Sequence, residues 1–241
     1  MSDVEKMATD VPPESAQADD AVIEVAAVHS RKRPKPGERR VQILQALAAM
    51  LEQPGSERIT TAALAARLDV SEAALYRHFA SKAQMFEGLI DFIEQSVFSL
   101  INQIADRESA AVTSDAPIDP TAGACQAGKV VAMLFQFAEK NPGMTRVMVG
   151  DALVFEHERL QQRMNLFFDK IESAFKQCLR GVAQQTGSAM PTVDTQIAAS
   201  VLTAFVAGRL QRFARSGYRR LPSEHLEASL ALILEISVAI F

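Results

Sequence analysis

Apolar residues recur at steps of three and four along every long segment of this chain, and no alternating run reaches strand length. The clearest case follows Ser81. There Met85, Phe86, Leu89, Ile90, Ile93, Val97, Leu100, Ile101 and Ile104 share one helical face, with nothing to break the helix until about Arg107. Phe92 falls off that stripe and is expected to be more exposed than its neighbours. The expected fold is therefore all-α. With 241 residues, 48% of them hydrophobic, there is material for one substantial core, or for a small unit and a larger one.

Two short amphipathic helices can be read between Arg58 and Lys82. The first places Ile59, Leu64 and Leu68 at helical spacing, with Thr60-Thr61 as N-cap. Leu68-Asp69-Val70 is the turn, and Asp tolerates the left-handed backbone that a sharp turn needs. Ser71 opens the second helix, which is expected to bury Ala74, Leu75 and Phe79; Ala65 and Ala74 are small where the helices cross. This is the pattern of a helix-turn-helix, whose second helix enters the DNA major groove. Candidate phosphate contacts are Thr60, Tyr76, His78 and Lys82, and candidates nearer the bases are Thr61, Ser71, Ala73 and Arg77. Side chains able to grip a base edge twice are few here, so specificity is expected to be modest and partly indirect.

The run from Thr60 to Phe79, T-x-x-x-L-A-x-x-L-x-V-S-x-x-x-L-Y-x-H-F, resembles the TetR-type helix-turn-helix. The flanking MFEGLIDFIEQSVFSLINQI and the later EKNPGMTRVMVGDALVFEHERLQQRMNLFFDKIE resemble the nucleoid occlusion branch of that family. The resemblance implies a homodimer bound to double-stranded DNA at a palindromic site. It also implies that the dimer engages the C-terminal tail of FtsZ, the tubulin-like division GTPase, and antagonises its polymers over the chromosome. In that branch the tail lies between the fourth and fifth helices, and the matching positions here are Phe92, Met133, Lys140 and Asn141. Two neighbours depart from the pattern: Leu100 stands where the family can carry arginine, and Gln136 where it can carry glycine. A ligand-responsive TetR-type repressor is the alternative, with a small molecule held in the larger domain.

Charge is segregated along the chain, although the net value is only -4. Residues 1–30 carry seven acids against one lysine, and residues 31–40 carry six bases against one acid. Residues 1–36 read as a disordered tail, acidic and then basic. Residues 37–82 read as the DNA-binding unit and 83–241 as the dimerisation and partner-binding domain. The first helix runs from about Glu38 to Gln53, with Val41, Leu44, Leu47, Ala48 and Leu51 on one face and Pro54-Gly55 as its stop. Arg39 and Arg40 lie in its first turn against the helix dipole, a placement that suits phosphate contact.

Ser81 to Gln84 reads as a capping box, and residues 108–119 as a polar loop. Asp119-Pro120 and Asn141-Pro142 read as N-cap and first residue of the fifth and sixth helices. A long seventh helix is expected from Ala152 to about Gln185, with Met164, Phe168, Ile171, Phe175, Cys178 and Val182 inward. After a break at Gly187 to Pro191, the eighth helix carries Ile197, Val201, Ala204, Phe205, Gly208 and Leu210, and the ninth starts at Ser223. These last two are more apolar than one subunit's core needs, so they are expected to form an isologous dimer interface.

Cys125 and Cys178 lie far apart on apolar faces and read as reduced core thiols. The start is acidic and proline-interrupted, unlike a signal peptide, and the longest uncharged run, Thr195 to Gly208, is 14 residues. That is short of the ~20 needed to span a bilayer. A cytoplasmic, nucleoid-associated protein is expected. Catalysis is not: His29, His78, His157 and His225 are scattered, Glu156-His157-Glu158 lacks metalloprotease spacing, and no phosphate loop or cofactor motif is present.

Overall fold

The computed structural model describes residues 37–53, 59–111, 121–185 and 191–240. Among the described residues nine α-helices follow in order: α1 Glu38–Leu51, α2 Thr61–Arg67, α3 Glu72–Tyr76, α4 Lys82–Ala111, α5 Ala122–Lys140, α6 Pro142–Met148, α7 Glu158–Gln185, α8 Pro191–Arg215 and α9 Leu226–Ile240. Among the described residues there is no strand. The tail readings for residues 1–36, the Pro54-Gly55 stop, most of the 108–119 loop, the Asp119-Pro120 cap and most of the break after Gly187 lie outside the described residues.

One hydrophobic core runs from α1 to α8. It joins Ile43, Leu47 and Leu51 to Phe86, Ile90 and Ile93 of α4, then to Phe135, Phe167 and Phe175. The α4 stripe is buried from Met85 to Val97 and at Ile101, with Leu89, Ile90, Ile93 and Val97 fully covered, while Leu100 and Ile104 are only half-buried. The helix runs four residues past Arg107, to Ala111. On α1 the buried residue is Ile43, while Val41 is exposed, because the face turned to α4 and α6 is centred on Leu44 and Leu47. Phe167 of α7 is buried and Phe168 only half-buried, its ring packed edge-on against Phe167.

The seventh helix begins later than its periodicity indicates. Asp151–Leu153 forms a single 3-10 turn after Gly150, which has φ 78°. His157 then starts α7 by accepting the Arg159 N–H at its Nδ1, 3.2 Å away. An imidazole cap and a left-handed glycine are weak signals beside a continuous apolar period. Likewise α9 starts at Leu226, after His225 takes φ 55°. Cys125 is exposed and only Cys178 sits half-covered, where burial pushes its thiol up to about 11.

Two details tie the N-terminal helices to the body. The Leu51 carbonyl at the end of α1 accepts from Arg146 Nη1 at 3.2 Å and from the Tyr218 hydroxyl at 3.3 Å. Those donors satisfy a helix-end acceptor that has no partner within the helix. Along α4 a row of acids meets bases of α7: Glu87 with Arg159 at 2.8 Å, Asp91 with Arg163 at 2.7 Å, and Glu94 with Arg163 at 3.0 Å and Lys170 at 2.5 Å. Each is partly exposed and contributes about 0–1 kcal/mol. They lie alongside the apolar packing of the two helices, where Phe98 meets Phe167 edge-on.

The turn between α2 and α3 has the geometry that its residues imply. Asp69 adopts φ 52°, and the Val70 N–H returns to the Ala65 carbonyl at 3.0 Å. Asp69→Val is expected to destabilise the fold by about 1–2 kcal/mol, because a β-branched residue resists that backbone, and Asp69→Gly by less than half as much. Thermal melts of the two variants check this; equal losses would show that the backbone conformation is not what Asp69 supplies.

Candidate nucleic-acid interface

α3 spans five residues and divides cleanly by exposure. Leu75 and the following Phe79 are buried and Ala74 is half-buried, whereas Ser71, Ala73, Tyr76, Arg77 and His78 are exposed. Ala74 stays partly open because so short a helix, packed chiefly against α2, buries only the side chains on its inner line. Ser71 occupies the N-cap with extended backbone, yet its hydroxyl makes no capping bond. That leaves the hydroxyl free to meet a phosphate or a base edge.

The other predicted contacts cluster around α3, several with an internal partner. Thr60 Oγ1 accepts the Ala63 N–H at 3.1 Å, the N-cap bond expected of it. Thr61 donates its hydroxyl to Glu72 Oε2 at 2.5 Å and so ties α2 to the start of α3. Arg40 donates to the His78 carbonyl at 3.1 Å and lies 4.2 Å above the Phe79 ring, which fastens α1 to the end of α3. Arg39 donates to Gln42 Oε1 at 2.9 Å. Lys82 is ion-paired with Glu156 on the connector before α7. Gln84 N–H donates to Ser81 Oγ at 3.1 Å, but the Gln84 side chain accepts from Ala80 N–H rather than from Ser81, so the capping box closes one residue early.

A second candidate surface lies on α4 and α5, which pack side by side. Phe92 is 38% exposed, as its position off the stripe requires. It sits about 100° round the helix from Asp91, which faces α7. Met133 is half-buried and Lys140 exposed in the last turn of α5, on one helical face. Asn141 closes α5 instead of capping α6 with its side chain: Nδ2 donates to the Phe137 carbonyl at 2.7 Å. Its backbone carbonyl accepts from Thr145 N–H at 3.0 Å. Leu100 is half-buried and Gln136 exposed.

α8 has two faces. Ala199, Leu202, Val206 and Leu210 are buried against the rest of the chain. Ile197 and Val201 are 53% and 46% exposed, and they continue into exposed Ala204 and Gly208 at steps of four, three and four. A Cβ at Gly208 would meet nothing within 4 Å. Leu232 of α9 is exposed as well.

Comparison with known proteins bears on both regions. The family of bacterial regulatory proteins of the tetR type matches residues 43–89, and the tetracyclin repressor-like C-terminal domain of the SlmA-like kind matches residues 124–236. The nucleoid occlusion factor SlmA of Idiomarina loihiensis is 50% identical over 190 residues, covering 79% of this chain and 90% of that one. The chain belongs to the SlmA family. The nucleoid occlusion factor SlmA of Vibrio cholerae is 47% identical over 196 residues, 81% of this chain and 93% of its own. Solved TetR-like structures share the fold at lower identity. The TetR family regulator PfmR of Thermus thermophilus superposes with TM-score 0.61 at 20% identity, covering 80% of this chain and 97% of that one. The fatty acid degradation regulator FadR of Bacillus halodurans gives 0.62 at 13% identity, covering 84% and 97%.

One residue beside this candidate interface is not legible from sequence. Glu156 lies 74 positions from Lys82, and only the folded connector brings them together.

Proposed function

We propose that this chain is a nucleoid occlusion factor. Two copies pair through α8 and α9, present two α3 helices to a palindromic chromosomal site, and from the nucleoid antagonise FtsZ assembly. The observation that carries this reading is the identity with SlmA proteins, which extends over the reading unit and the later helices alike. The exposed set Ser71, Ala73, Tyr76 and Arg77 supports DNA contact, since one side of α3 is committed to the core and the other to solvent. Two such helices about 34 Å apart read successive major grooves.

The α4–α5 surface is proposed as the site for the FtsZ C-terminal tail. An exposed Phe92 and a half-buried Met133 suit apolar residues of an extended peptide, and Lys140 suits an acidic one. Phe92→Ala and Lys140→Glu are each expected to reduce retention of that tail peptide at least about tenfold, as anchor residues do. The measurement is a peptide pull-down with and without the DNA recovered by chromatin immunoprecipitation. Retention that ignores both substitutions counts against the site. No retention, with DNA sites clustered at one adjacent promoter, favours a local ligand-responsive repressor.

A further inference from the structure

Lys82 stands at the first position of α4, next to the end of α3, and there the charge pattern of the α4–α7 seam reverses. Further along, Glu87, Asp91 and Glu94 of α4 meet Arg159, Arg163 and Lys170 of α7. At the DNA-reading end the base is on α4 and the acid on the connector: Lys82 Nζ bonds Glu156 Oε1. The pair is more enclosed than a surface bridge, with 25% of the Lys82 side chain and 11% of the Glu156 side chain exposed. The Lys82 ammonium also lies 5.7 Å from the Phe86 ring. A lysine in the first turn of a helix opposes the helix dipole, so stitching α4 to α7 does not explain the reversed sign. A lysine placed for phosphate and held by a carboxylate does.

We propose that Glu156 is an internal competitor for Lys82 that holds down the affinity for DNA backbone. A phosphate reaching Lys82 must displace a carboxylate already in contact with it. The lysine therefore adds less to binding than a free one, and weak sequence-independent binding is penalised most, because it rests on such contacts. This inference rests on the assignment of α3 and the α4 start as the DNA-contacting surface.

The test measures binding of the full chain to a random-sequence duplex across a salt series, for wild type, Glu156→Gln, Glu156→Asp, Lys82→Ala and the Lys82→Ala/Glu156→Gln double variant. Glutamine is isosteric and can still accept from Lys82, and a thermal melt confirms that each variant is folded. Glu156→Gln is expected to tighten binding roughly five- to tenfold near 0.1 M salt and to steepen the log affinity–log salt slope by about one, the contribution of one freed phosphate contact. Glu156→Asp, a methylene shorter with the charge kept, gives a smaller gain. In the double variant the gain disappears. Unchanged or weaker binding by Glu156→Gln overturns the proposal, as does a gain that survives the loss of Lys82, which would reflect net charge alone. If wild type binds no duplex at all, the DNA-contacting assignment itself fails; if it binds and Glu156→Gln changes nothing, only the competitor role fails.

Discussion

Gly143→Ala is expected to destabilise the folded chain by about 2–3 kcal/mol, a large fraction of a total that is typically about 5–15 kcal/mol. Gly143 is buried in α6, and a Cβ there would stand 2.0 Å from the Ala48 carbonyl oxygen and 3.0 Å from its carbon. Those atoms belong to the backbone of α1, so no rotamer change relieves the clash and one helix must move off the other. Alanine's better helix propensity returns at most about 1 kcal/mol. The displaced helix is the one that carries Arg39 and Arg40 and buttresses α3 through the Arg40–His78 bond. Denaturant unfolding should thus show a lower midpoint, and DNA binding should weaken in parallel. A midpoint equal to or above wild type would show that α1 and α6 do not meet backbone to backbone.

Val201→Glu is expected to leave a folded monomer with greatly reduced DNA affinity. Val201 lies in the exposed row from Ile197 to Gly208, so a glutamate there costs the single chain little. Across a two-fold axis the same change buries two carboxylates facing each other, and neither has a partner. Light scattering should fall from twice the chain mass to the 26.3 kDa of one chain. Affinity for a palindromic site should drop by ~10²–10⁴, the usual gain from holding two binding units together. A variant that keeps the dimer mass and full DNA affinity would place the interface elsewhere.

The helical fold and the reading motif were legible because both rest on short-range physics. The α4 stripe, the Thr60 cap, the Asp69 turn and the exposure of Phe92 each depend on residues within about two turns of one another. The sequence pattern and the structure part where neighbouring residues are equally apolar. Val41 against Ile43, and Phe168 against Phe167, are separated by how a helix is rotated, and its packing partners set that rotation. The apolar period runs unbroken through Asp151–Leu153 and so predicts a helix from Ala152, whereas the turn there depends on Gly150 and on the His157 cap.

Sequence by itself determined that this chain is all-helical, that it carries a helix-turn-helix with Ser71, Ala73, Tyr76 and Arg77 turned outward, and that its eighth helix has apolar residues beyond one core's needs. Only the tertiary structure decided which of the remaining candidate groups already hold a partner within the chain. Arg40 is spent on His78 and Phe79, Thr61 on Glu72, and Lys82 on Glu156. Helical periodicity reports which way a side chain points along its own axis. It carries no information about a carboxylate that folding delivers from 74 residues away.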